Sequence, residues 1–149
     1  MSIKLEKLVE ILQDTALKNE MINDFGYGEV SDIMNLKMPY IWIEPTGSVI
    51  SGGLMNEISF QFDVFVMDRL IKGDVDNWLE TTSDTLYILH TFINQLSKTD
   101  DFINLGLLLQ QNITTEPVYE STDDDVNGHK ATILIKTPSR IAPCNSPLN

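Results

Sequence analysis

The sequence predicts an α+β fold: a mostly antiparallel, curved sheet with two helices packed on one face. Three observations carry that prediction. Apolar residues recur at helical spacing near the N-terminus and again after residue 73. Elsewhere they recur at every second residue, the period of a strand. The alternating runs are joined by short turns, which favour antiparallel neighbours.

The first helix carries Leu5, Leu8, Val9, Leu12 and Ala16 on one stripe and ends near Asn19, with Ser2 as its expected cap. A short apolar piece follows from Ile22 to Tyr27, broken by Gly26 and Gly28. Pro39 to Glu44 reads as a strand of aromatic and β-branched residues. Pro45 and Gly47 either end it or interrupt a hairpin arm that continues through Val49 and Ile50 to a turn at Ser51-Gly52-Gly53.

Ile58 to Asp68 is the clearest strand. Ile58, Phe60, Phe62, Val64 and Val66 share one face. Ser59, Gln61 and Asp63 make the other face wet in the first half, whereas Phe65 and Met67 require cover on both faces in the second. Asp74 caps the second helix, whose expected apolar stripe is Val75, Leu79, Thr82, Leu86, Leu89, Ile93 and Leu96, with Trp78 and Phe92 beside it.

Ile103 to Leu109 fits strand or helix equally. Ile113 to Tyr119 reads as extended, with an edge or bend at Glu116-Pro117. Thr122 to Gly128 reads as a polar loop closed by an Asn127-Gly128 turn, and Lys130 to Lys136 as a last alternating strand. The organisation is thus a single α+β domain over 1–137 and an extended or disordered arm over 138–149, the latter holding three prolines.

Bulk composition excludes several classes. The chain has 149 residues and a formal charge of −12, with 10 Lys and Arg against 22 Asp and Glu. Phosphate backbones are gripped by clustered cations, so neither nucleic-acid binding nor attachment to an anionic membrane is expected. An acidic surface instead lets DNA slide past without sticking. A single cysteine, Cys144, cannot staple the fold internally.

No set of residues converges on a reaction, and the chain reads as no enzyme, with no metal and no cofactor. His90 reads as a helix surface residue and His129 as following a turn glycine, with no metal-ligand spacing around either. Asp123, Asp124 and Asp125 are consecutive rather than spaced as in a calcium loop. They read as a solvated loop which, if it faced a channel, would repel passing DNA. Asp63 and Asp68 lie on opposite strand faces, wrong for a shared acid–base site. Trp42, Phe65 and Met67 read as core or as a candidate subunit interface, where Met and aromatic residues are enriched.

Several segments together resemble a known group. Phe25-Gly26 sits where that group has a short strand ending in Gly, and Pro39-Tyr40 through Ile43 matches its Pro-initiated strand. Phe62 through Met67-Asp68 matches a long strand ending in Met-Asp, and Thr82 through Leu96 a Leu/Ile-rich helix. Glu116-Pro117 and then Gly128 through Ile135 match its last strands. The chain so resembles small structural proteins of phages of Bacteroidetes-type hosts, the crAss-like group included, and through them tail-terminator and head–tail neck proteins. The resemblance spans most of residues 22–137 and rests on order and spacing.

That resemblance implies a virion protein assembled in the host cytoplasm. It implies a homo-oligomeric ring, six- or twelvefold, around the DNA channel, with portal, neck or tail proteins as neighbours. DNA would pass through without specific binding, and no membrane is involved. The competing expectation is a small cytoplasmic adaptor that binds a protein partner through its sheet.

Overall fold

The structure, a computed structural model, describes residues 3–33, 35–51, 57–69, 75–120 and 126–138. The elements run α1 (Leu5–Leu17), β1 (Asp24–Tyr27), a 3-10 turn (Val30–Asp32), β2 (Tyr40–Ser51), β3 (Glu57–Arg69), α2 (Val75–Leu96), α3 (Asp100–Asn104), β4 (Leu108–Leu109), β5 (Thr115–Glu120) and β6 (Val126–Thr137). They form one open sheet in the order β1-β2-β3-β6-β4, with β5 also paired to β6. β1 is parallel to β2 and every other pairing is antiparallel.

The long β3 is central, paired along its length with β2 and β6, and its second half is covered on both faces. Phe62, Val64 and Val66 meet Ile41 and Ile43 of β2 and Ala131, Ile133 and Ile135 of β6 on one face. Leu8, Ile11 and Leu12 of α1, Ile88, Leu89, Phe92 and Leu96 of α2, and Phe102 of α3 close over them. Each fully buried aliphatic or aromatic side chain there contributes about 1.5–3 kcal/mol. The expected two-helix layer on one face is therefore present, with α3 as a short addition. Thr99 caps α3, its hydroxyl accepting from the Phe102 N–H at 3.3 Å.

On the opposite face Tyr40, Trp42, Phe65, Met67 and Val126 form a smaller cluster. It is covered by the chain's own excursion between β1 and β2, through Val30, Ile33, Leu36 and Met38. Gly26 permits this: a methyl group there would collide with the Trp42 ring.

Several expectations are corrected. Residues 126–128 are strand, not loop and turn: Gly128 lies opposite Met67 inside β6. A side chain there would strike the Val66 carbonyl, so glycine serves close strand approach rather than a turn. Leu79 and Leu86 are exposed, and the buried stripe of α2 runs instead through Thr81, Thr85, Ile88, Leu89, Phe92 and Leu96. Lys4, not Ser2, occupies the cap position of α1. The segment 103–109 divides between α3 and β4. Of the two alternatives at Pro45, the continuing hairpin arm through Val49 and Ile50 is the one found, a register shift between Pro45 and Gly47 absorbing the proline.

The turn at Gly52-Gly53, the Asp74 cap, the 123–125 loop and the arm beyond Pro138 lie outside the described residues.

Candidate interaction surfaces

Three features of the described structure are candidates for function: an arm, a groove and an internal polar cluster. The arm is the outer half of the β2–β3 hairpin. β1 pairs with β2 only from Tyr40 to Ile43, the last bond running from the Gly28 N–H to the Ile43 carbonyl at 3.0 Å. Beyond that point no described strand covers the outer edge of β2. Such an edge is a template for another chain unless something blocks it. Pro45 and the irregularity beside it disturb the first residues of that edge. Val49 and Ile50 then stand 55% and 72% exposed.

The groove lies between α2 and the segment entering β5. Ser83, Leu86, Tyr87, His90 and Ile93 form one wall, and Gln111, Ile113 and Thr115 the other. Its volume is about 630 Å³. Leu79, Leu86 and Ile93 recur every seven residues, forming a second stripe roughly a third of the way round α2 from the buried one. That spacing is the signal in the sequence that could have separated the two stripes. At the β5 edge Trp78 stacks on Tyr119, ring centroids 6.1 Å apart and 13° from parallel.

The polar cluster sits where α2 crosses the start of β6. The Thr85 hydroxyl lies 2.9 Å from the Thr81 carbonyl, to which it donates, and 3.2 Å from His129 Nδ1, a contact whose direction follows the imidazole tautomer. Asn127 is wholly buried; its Nδ2 donates to the Thr82 hydroxyl at 2.9 Å, while its Oδ1 has no partner. Among the described residues no group of three or more His, Cys, Asp or Glu could hold a metal ion.

Burial pushes His129 below its ordinary value of 6.5. The folded state then disfavours the proton, so His129's contribution is full above pH 6.5 and falls as pH drops from there through the lowered value. Asp68 behaves oppositely. Burial first, with the Asp84 charge adding to it, raises its carboxyl above 3.8, against the opposing effect of the bond from the Arg69 N–H. Its contribution is full below pH 3.8 and lost as pH rises through the raised value. Asp68→Asn is therefore expected to raise the thermal midpoint at neutral pH. His129→Gln is expected to flatten the decline of that midpoint on acidification below pH 6.5. Calorimetry across pH checks both, and an unaltered slope in the histidine variant would refute the burial argument.

The residues singled out from sequence separate in space. Trp42, Phe65 and Met67 come together, but they are buried, with Val30, Ile33, Leu36, Met38 and Val118 of their own chain packed against them. Trp42 Nε1 donates to the Gly28 carbonyl at 3.0 Å, and the Val30 N–H donates to Glu44 at 2.7 Å, tying that cover down. Lys130 lies 5.7 Å from the Phe65 ring centroid and bridges Asp63 at 3.3 Å and Glu116 at 3.7 Å. Asp63 and Asp68 face opposite sides of the sheet, and His90 is exposed on α2. Val49, Ile50, Tyr87 and Ile113 were not singled out as a site. Their exposure depends on which strands and helices cover them.

Among the described residues no helix is long and apolar enough to cross a membrane. No protein-family model matches the chain, and a search of curated proteins returned no match.

Proposed function

We propose that this chain is a structural, non-enzymatic subunit of a tailed bacteriophage, forming a homo-oligomeric ring around the DNA channel at the head–tail neck or tail terminus. The observation that carries the reading is the arm. A sheet in which β2 runs on past β1, with no described strand on that edge and apolar residues exposed at 49–50, is unfinished as a monomer. A closed ring finishes every copy identically, because each subunit offers one surface and receives another.

Charge is consistent with the conduit role. At −12 the chain repels a phosphate backbone, which favours passage over retention. The resemblance of its order of segments to tail-terminator and neck proteins is what favours a phage particle in this reading.

Native mass measurement of the purified chain tests the proposal. A closed assembly of at least about six copies is expected, seen as rings by electron microscopy. The same sample is expected to retain no duplex DNA at physiological salt. A chain that stays monomeric at the highest concentration it tolerates, or that turns over a small substrate alone, would overturn the reading.

A further inference from the structure

We propose that the arm of one copy, residues 45–51, seats in the groove between α2 and β5 of the next copy, with Ile50 filling it. The inference rests on the ring reading and names the contact that would build the ring.

Electrostatics selects the two surfaces. Two copies that each carry −12 repel overall, so a contact that sets no further like charges against each other is favoured. The arm from Pro45 to Ser51 contains no charged residue. The groove likewise has no Asp, Glu, Lys or Arg among its lining residues. Both are apolar where they would meet: Ile50, 72% exposed, on one side, and Leu86, Tyr87, Ile93 and Ile113 on the other. Tyr87 is 62% exposed and offers a large, stiff surface to an incoming aliphatic side chain.

Topology makes the contact intermolecular. In the strand order, β3 and β6 separate the arm's β2 from β5. Three interstrand steps of about 4.8 Å put the arm roughly 14 Å from β5 across the sheet. The groove is further away, in the helical layer, whose packing on a sheet adds about 10 Å. A side chain of Ile50 cannot cross that gap, so the arm must be received by another molecule. Because arm and groove are different surfaces separated across the strand order, the contact is head to tail and propagates until it closes.

The test uses two single variants of the full chain, Ile50→Asp and Tyr87→Asp. Both positions are exposed, so each variant should keep its far-ultraviolet dichroism and thermal midpoint. Each alone is expected to lose the ring, with subunit affinity weakened at least ~30-fold as for a central interface residue. Mixed in equal amounts, they are expected to form a heterodimer and stop there. The intact arm of the Tyr87→Asp copy meets the intact groove of the Ile50→Asp copy, and the opposite contact is dead on both sides.

A chain ending at Pro138 should still form rings. Loss of the ring in that truncated chain would place residues 139–149 in the groove and overturn the proposal. So would a mixture that yields no heterodimer, or rings that survive both substitutions. A wild-type chain that never associates sinks the ring reading itself, whereas rings indifferent to both substitutions sink only the arm–groove contact.

Discussion

Phe62→Ala is expected to lower the stability of the fold by about 3–5 kcal/mol. Phe62 has no solvent exposure and sits on β3 between Pro45 of β2 and Ile133 of β6. It belongs to the cluster that α1 and α2 close from above. Truncation removes apolar contact and leaves a void that strands bonded on both sides cannot collapse into. Set against a total of roughly 5–15 kcal/mol for a domain, the loss is a large fraction of what holds the chain together. Urea titration checks it: the midpoint should fall with little change in slope. Phe60→Ala, at a half-buried position on the same strand face, should cost clearly less. Equal losses at the two positions would contradict the placement of the core.

Gly128→Ala is the second large effect. A methyl group at this position would overlap the Val66 carbonyl oxygen and come within 2.8 Å of Met67 Sδ. The carbonyl is backbone in the central strand and cannot rotate aside, so β6 itself must move away from β3. Met67 is buried in the second cluster and leaves little room for such a shift. A cost of about 3 kcal/mol, the upper part of the overpacking range, is expected. Hydrogen exchange should show the loss first in the β3–β6 pairing around Val66 and His129, ahead of the far end at Thr137. Gly47→Ala is the control, because nothing lies within 4 Å of where its side chain would go. A Gly128→Ala chain as stable as wild type would mean that β3 and β6 are not this close.

The contrast between these glycines shows what local sequence can and cannot signal. Asn127-Gly128 has the composition of a tight turn, and local chemistry alone favours that reading. The tertiary requirement is different: Asn127 and Gly128 are buried, and Gly128 is where two long strands approach. Helix α2 shows the same limit. Its two apolar stripes are both periodic, and period alone does not say which faces the sheet. The structure buries the stripe containing Thr81 and Thr85; the Thr85 hydroxyl bonds the Thr81 carbonyl within the helix and lies against His129. Leu79 and Leu86 are left outside, and with them the wall of the groove.

The sequence by itself determined the class of fold, the phase of the long strand, and the rule that its second half needs cover on both faces. Those follow from periodicity, which is local: each residue's neighbours along the chain carry the information. Tertiary packing settles that the second cover comes from Val30, Ile33, Leu36, Met38 and Val118 of the same chain, that β2 outruns β1, and that arm and groove are separated across the strand order. These depend on which distant segments pair and where each pairing stops. Pairing is settled by the packing of the whole chain, not by the pattern of any one strand or helix.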